Sequence, residues 1–238
     1  MKKSFIAAIV AAGSLLPFSP AAQAGISLNA TRVVYAAPSK EASVLVRNQS
    51  KDDVMIQSWL ESDNGNGDLP FAITPSLSRL AAGKQQTLRI FYSGQGLPDD
   101  RESVFWLNVQ EIPQKPKDDN TLQVAVRQRI KLFYRPAELS GKPNEAAQQL
   151  KWRWAATSGD AALEVVNDTP YYVSLIKGRI VNGTQAHAVQ VEMVSPKSSR
   201  QFKVTDMAGH GRPANARIEF GSVNDFGGVD EHESELTR

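Results

Sequence analysis

The residue types that usually carry out catalysis are few in this sequence and stand far apart. Cysteine is absent, and the three histidines, His187, His210 and His232, are widely separated. Serine hydrolases need a nucleophile, a general base and oxyanion donors, but no G-x-S-x-G motif follows residue 24. Neither a cysteine-based zinc site nor an H-E-x-x-H motif is present. The sequence therefore predicts a protein that is not an enzyme and that needs no metal or other cofactor.

A long alternating segment between residues 120 and 136 is the strongest candidate for binding. One parity is apolar and the other polar, and this pattern predicts a strand over residues 121–134. A strand that its own sheet leaves uncovered can pair with another chain through its backbone while its side chains fill a groove. The pattern also fits a strand that only faces the core of its own domain. The apolar parity comprises Leu122, Val124, Val126, Ile130, Leu132 and Tyr134, and the polar one includes Gln123, Arg127, Arg129 and Lys131.

Two neighbouring segments resemble a known family. Residues 97–113, LPDDRESVFWLNVQEIP, and residues 120–136, NTLQVAVRQRIKLFYRP, are similar to the paired F and G strands of the periplasmic pilus chaperones. The short connection, residues 114–120, resembles the subfamily with a short F1–G1 loop. The resemblance implies an all-β protein with two immunoglobulin-like β-sandwich domains, set at an angle like a boomerang with a cleft between them. It implies a chaperone that completes the fold of fimbrial (pilin) subunits by donor-strand complementation and delivers them to an outer-membrane usher.

The resemblance also implies roles for individual side chains. Four apolar residues belong to the donor strand that fills the groove of a subunit. An arginine in NATRVVY and a lysine in RIKLFYRP hold the subunit's C-terminal carboxylate, and three charged residues in DRESVFW, FYRP and VNDFGG form a salt-bridge network between the domains. These sets are Leu122, Val124, Val126 and Ile130 for the donor strand, Arg32 and Lys131 for the anchor, and Glu102, Arg135 and Asp225 for the network.

The proposed carboxylate anchor is chemically reasonable. The guanidinium of Arg32 can bind a carboxylate through two hydrogen bonds, and the ammonium of Lys131 adds a point charge beside it. Without the surrounding motifs, both would be interpreted as solvated surface charges, and so would the three residues of the network.

The first 24 residues have the form of an export signal. Lys2 and Lys3 precede an apolar run, residues 5–16, and Ala22-Gln23-Ala24 has the small-x-small form of a cleavage site. The apolar run is too short for an anchor. Its removal takes two of the 27 Lys and Arg and none of the 25 Asp and Glu, which leaves 25 of each. A balanced chain in the periplasm gives no reason to expect nucleic acid or a membrane as partner.

Short alternating segments separated by turn residues continue to the end of the chain, as is typical of β-sandwiches. The first of them predicts one strand over residues 26–35, and later ones predict strands over residues 42–48, 103–112 and 162–167. Residues 25–136 are expected to form the first domain, 137–149 a linker with one helical turn, and 150–238 the second domain. From residue 227 the sequence, GGVDEHESELTR, is acidic and polar. The last strand of the second sandwich is therefore expected to be truncated or the tail disordered.

One alternative remains, a structural immunoglobulin-like fimbrial subunit or adhesin. Such a protein is expected to carry its donor strand at the mature N-terminus and commonly a cysteine pair, whereas here the donor-like strand is central. An exposed apolar strand also gives the free protein a route to self-association.

Overall fold

The computed structural model describes residues 25–63, 69–114, 120, 122, 124–155, 161–205, 207, 213 and 215–237. The expected export signal and most of the connection at 114–120 lie outside these residues. Strands dominate the described part. They are β1 Ile26–Leu28, β2 Arg32–Ala36, β3 Ala42–Asn48, β4 Val54–Ser62, β5 Phe71–Thr74, β6 Leu77–Leu80, β7 Gln85–Tyr92, β8 Ser103–Ile112, β9 Arg127–Arg135, β10 Lys151–Trp154, β11 Ala162–Asn167, β12 Val173–Asn182, β13 Gln185–Ala188, β14 Met193–Val194, β15 Ser198–Lys203, β16 Arg217–Val223 and β17 Val229–Thr237, with a 3₁₀ helix at Pro143–Gln149.

The N-terminal half is a sandwich of two sheets. One has the order β1-β3-β7-β5 and the other β2-β9-β8-β4-β6. The inward parity of each strand supplies the core, because successive side chains of a strand point to opposite faces. Val46, Leu88, Leu107 and Leu132 are each fully buried in this core.

The prediction of a single strand over residues 26–35 is wrong. The chain changes sheets there, because β1 pairs with β3 whereas β2 pairs with β9 in parallel. Asn29 makes the turn between them. Its backbone N–H donates to the Leu45 carbonyl at 3.1 Å, and its side-chain Oδ1 accepts from the Leu45 N–H at 2.8 Å. These bonds satisfy backbone groups that one uninterrupted strand would have paired within one sheet.

The C-terminal half is one curled sheet around a second core. The strand order is β13-β12-β16-β17-β10-β11-β15, and β14 pairs with β12. Trp152 lies at the centre with its ring 5.1 Å from that of Phe220 and 6.2 Å from that of Phe202. The sheet curls so that β12, near one end, and β11 and β15, at the other, contribute to the same core and form the two layers of a sandwich. The predicted all-β fold with two sandwich domains is therefore confirmed. Within the described residues, no helix is long and apolar enough to cross a membrane.

The expectation of a truncated or disordered tail is wrong, because β17 is a nine-residue strand inside the sheet. It pairs with β16 in antiparallel and with β10 in parallel register. Its acidic parity faces outward, where Glu231 lies 3.9 Å from Lys177 and Glu233 lies 3.2 Å from Arg217. The other parity, which includes Leu236, is half-buried. Cations on the neighbouring β16 and on β12, the next strand beyond it, thus make an acidic sequence compatible with a central strand.

Candidate functional site

Arg32 and Lys131 lie side by side. They are register partners on the parallel strands β2 and β9, so their side chains leave the same face of the sheet. The guanidinium of Arg32 lies over the Phe133 ring at 5.6 Å, and the ammonium of Lys131 lies 5.7 Å from the Trp106 ring. The structure therefore brings together the two cations that the sequence motifs paired.

The surroundings of these two cations favour an anion. Burial lowers the pKa of Lys131, and the charge of Arg32 lowers it further, while Asp63 and Glu192 oppose the shift. Burial also lowers the pKa of Arg32, against Asp225 and Glu102. The Nη1 of Arg32 donates to the Val223 carbonyl at 2.8 Å.

The donors of Arg32 are not all used. Its Nε is buried and has no hydrogen-bond partner among the described residues. A carboxylate bound here would supply the missing acceptor and relieve the repulsion between Arg32 and Lys131.

A cavity of about 440 Å³ lies between the two domains beside Arg32. Phe133 and Arg135 line it from the first domain, and Tyr172 and Asp225 line it from the second. The rings of Phe133 and Tyr172 are 5.8 Å apart. The expected cleft between the domains is thus present, with one of the two cations of the anchor in its wall.

Glu102, Arg135 and Asp225, predicted to form a network, meet at the junction of the domains. The Nε of Arg135 donates to Oε1 of Glu102 at 2.6 Å, and its two terminal nitrogens donate to the carboxylate of Asp225 at 2.7 and 3.0 Å. The second oxygen of Glu102 accepts from the Tyr172 N–H at 2.8 Å. One guanidinium therefore joins a carboxylate from each domain.

Burial makes these charges depend on one another. It raises the pKa of Glu102, although Arg135 and the Tyr172 N–H favour the carboxylate. In Arg135, burial opposes the charge, but the hydrogen bonds to Asp225 and the charge of Glu102 outweigh it and raise the pKa. Removing any one member leaves a partly desolvated charge behind.

Arg135→Ala is expected to lower the free energy of unfolding by about 3 kcal/mol, because the buried Glu102 carboxylate loses its cation. Urea titration measures the change. Arg153→Ala is the matched control, because Arg153 bonds Glu164 at 2.8 Å but its side chain is 52% exposed. That variant is expected to lose less than about 1 kcal/mol. Equal losses of unfolding free energy in the two variants would show that the interdomain bridge contributes no more to stability than an exposed ion pair does.

The candidate donor residues Leu122, Val124 and Val126 are exposed to 88%, 68% and 37%. The predicted strand over residues 121–134 begins later than expected, because β9 starts at Arg127 and its ladder to β8 ends at the pair Gln110–Arg127. One backbone hydrogen bond extends the pairing, since the Val126 carbonyl accepts from the Glu111 N–H at 2.9 Å. Before β9 the apolar parity therefore continues without the domain's own sheet to cover it.

Ile130, the fourth candidate donor residue, is placed differently. It is half-buried and packs against the core of the first domain, on the same parity as the buried Leu132. The apolar parity thus faces the chain's own core in β9 and solvent at Leu122, Val124 and Val126, and the donor role of these three residues stays a prediction.

The polar parity of β9 places two arginines against tryptophan rings of neighbouring strands, a contact that the sequence motifs did not indicate. Arg129 stacks on Trp106 at 3.9 Å and Arg127 lies 4.9 Å from Trp59. Glu61 binds Arg127 at 3.0 Å and Arg129 at 3.4 Å. The alternation of tryptophan and glutamate in β4 was the available signal, but which cation meets which ring depends on the register between strands.

Comparisons with known proteins agree with this architecture. Residues 25–140 match the family described as "Pili and flagellar-assembly chaperone, PapD N-terminal domain", and residues 145–234 match "Pili assembly chaperone PapD, C-terminal domain". The chain is 39% identical over 232 residues to the probable fimbrial chaperone YadV of Escherichia coli K12, covering 93% of this chain and 94% of that protein. It is 38% identical over 213 residues to chaperone protein FimC of the same strain, covering 87% and 83%.

Solved structures give the same result. The crystal structure of the YadV chaperone superimposes with a TM-score of 0.79 at 39% identity, covering 90% of this chain and 100% of that one. The SafB chaperone in complex with the SafA pilin of Salmonella enterica gives 0.72 at 30% identity, covering 89% and 96%. Two domain matches that together span most of the sequence, with relatives of this identity, leave one conclusion: the chain belongs to the pili assembly chaperone family.

Proposed function

We propose that this protein is a periplasmic chaperone that captures fimbrial subunits by donor-strand complementation and delivers them to an outer-membrane usher. The observation that carries the proposal is the exposed apolar segment, Leu122 to Val126, which leads directly into the strand of Lys131 and its register partner Arg32. The related SafB chaperone forms a complex with a pilin, which supports a subunit as the partner here.

The anchor and the donor segment act together in this proposal. The C-terminal carboxylate of the subunit binds Arg32 and Lys131, and the segment before β9 becomes extended and fills the subunit's open groove. Val126 lies five residues and Leu122 nine residues before Lys131, about 16 and 30 Å along a strand. Because a slip of one residue would turn every side chain to the wrong face, a fixed carboxylate sets which residues enter the groove.

The interdomain network serves to hold the cleft around this site. Arg135 ends β9, four residues after Lys131, and Asp225 comes from the second domain. A rigid junction reduces the conformational entropy that subunit binding must overcome.

Residues 1–24 act as the export signal in this proposal, which places the mature chain in the periplasm beside its subunits. The alternative of a structural fimbrial subunit is not favoured, since both domain matches are to assembly chaperones. The exposed donor segment also gives the free protein a surface for self-association until a subunit covers it.

Co-expression with a fimbrial subunit tests the proposal. The tagged full-length chain is expressed in a bacterial host together with an untagged subunit encoded beside it, and the periplasmic extract is passed over an affinity column. The subunit is expected to elute in one-to-one ratio with the chain and to be degraded when expressed alone. A folded chain that recovers no subunit, or a chain incorporated into fimbriae, would overturn the proposal.

A further inference from the structure

Phe226 stands at the tip of the turn between β16 and β17 with 98% of its surface exposed. No other large apolar side chain among the described residues is as exposed, and Leu122 in the donor segment follows at 88%. An aromatic ring in water adds nothing to the packing of the fold.

The backbone of this turn is fixed from within. The side-chain Oδ1 of Asn224 accepts from the Phe226 N–H at 3.2 Å and from the Gly228 N–H at 2.9 Å. The Asn224 carbonyl accepts from the Gly227 N–H at 3.0 Å, and the Asn224 N–H donates to the Gly228 carbonyl at 2.9 Å. Four hydrogen bonds on one residue hold the tip in a single conformation.

Both neighbours of Phe226 are also attached to the first domain. Asp225 accepts two hydrogen bonds from Arg135. Gly227 has a φ of 83°, and a Cβ placed there would clash with Oγ1 of Thr31, so its backbone packs directly on the residue before Arg32. The ring of Phe226 is therefore held outward by a rigid frame, as in the preorganised aromatic contacts of protein interfaces.

The position of the ring relates it to the carboxylate anchor. Phe226 and Arg32 line the same interdomain cavity, and Arg32 donates to the carbonyl of Val223 at the start of the turn. A chain terminus whose carboxylate binds at Arg32 brings its last side chains to this cavity, because successive residues of an extended chain are about 3.3 Å apart.

The charges near the ring restrict what can bind. Arg135 already neutralises Asp225, and Asp230, which also lines the cavity, accepts from Asn224 at 3.2 Å. An acidic side chain would meet Asp230, whereas an apolar one would cover the ring.

We propose that Phe226 is a specificity-determining contact for the captured subunit and packs on an apolar side chain at one of the subunit's last two residues. This inference rests on the proposed function and adds to it a preference for subunits with an apolar C-terminal end over those with an acidic one.

Binding of a labelled synthetic peptide to the full mature chain tests this inference. The peptide carries the last residues of a subunit encoded beside the chaperone, and a second peptide has alanine at its last two positions. Phe226→Ala is expected to weaken binding of the first peptide about tenfold and of the second less than about twofold. This difference is expected if Phe226 contacts the last two residues of the peptide directly. Phe226→Tyr is expected to restore binding.

Two controls separate the possible failures. Leu77→Ala removes an apolar side chain that is 56% exposed on β6 and is expected to change neither affinity nor stability. Phe226→Ala is expected to keep the wild-type unfolding midpoint because its ring is exposed. Arg32→Ala is expected to abolish binding of both peptides. If it does, unchanged affinity in Phe226→Ala, or an equal loss of affinity with both peptides, overturns this inference alone. Failure of the wild-type protein to bind either peptide overturns the inference and the proposed function together.

Discussion

Arg32→Ala and Lys131→Ala are each expected to abolish subunit capture while the chaperone remains folded. Removal of one partner from a desolvated, hydrogen-bonded charge pair costs about 2 to 5 kcal/mol of binding free energy, or roughly 30-fold to several-thousand-fold in affinity. Because Arg32 and Lys131 are adjacent register partners, loss of either leaves the carboxylate with half of its contacts. Affinity is measured with purified subunit released from the complex by denaturant and refolded in the presence of each variant.

The pH dependence of stability, measured for the wild type and for Lys131→Met, distinguishes a binding role of Lys131 from a structural one. The pKa of Lys131 is lowered by burial and by Arg32, so its charge opposes folding. Between the lowered pKa and 10.5 the unfolded chain binds more protons than the folded one, and wild-type stability rises with pH in that window. Lys131→Met is expected to remove this rise and to keep or increase stability at neutral pH.

Arg79→Ala is the matched control for the anchor. Arg79 bonds Asp53 at 2.6 Å, but its side chain is 73% exposed at another edge of the same domain. Its removal is expected to change capture less than about twofold, as for other exposed ion pairs. Wild-type affinity in both anchor variants would contradict the assignment of Arg32 and Lys131.

Placing aspartate at Val124 is expected to abolish capture as completely as loss of the anchor. Each aliphatic side chain that fills a groove contributes about 1.5 to 3 kcal/mol, and a carboxylate there would also have to lose its hydration. Replacing Leu122, Val124 and Val126 together with serine is expected to weaken binding by more than roughly a thousandfold. All three are exposed in the free protein, so neither change is expected to lower its stability.

The opposite parity of the same segment supplies the control. Ala125 is exposed and lies between two proposed donor residues, but on an extended strand its side chain points away from the groove. Ala125→Asp is therefore expected to retain most of the affinity. If Ala125→Asp were as damaging as Val124→Asp, the segment would not bind as a strand with one inserted face.

Strand alternation predicted much of the fold because most strands have one buried face. Residues 42–48, 103–112 and 162–167 form strands with the predicted bounds. Alternation did not predict strands whose presence or bounds depend on pairing with other strands. β17 is acidic, and its outward face meets the cations of β12 and β16 while its backbone pairs on both sides. The start of β9 at Arg127 depends on where its ladder to β8 ends, which the apolar pattern of residues 122–134 does not show.

The candidate site was likewise predicted in part from the sequence. Arg32, Lys131 and the three network residues were identified through motifs that resemble a family, and the structure brings each set together. Their role in holding a subunit stays a prediction. Phe226 was not predicted, because the sequence of the turn does not show whether its ring is covered. Its exposure results from the packing of Gly227 on Thr31, which joins segments almost 200 residues apart in the sequence.

Amide hydrogen exchange of the chaperone, free and bound to a subunit, tests the central claim most directly. The amides of residues 122–126 are expected to exchange rapidly in the free protein, because this segment lies outside the β8–β9 ladder. In the complex they are expected to be protected in an alternating or continuous run that joins β9, as backbone pairing with a subunit strand requires. A stable complex in which these amides still exchange at the free rate would contradict donor-strand complementation by this segment.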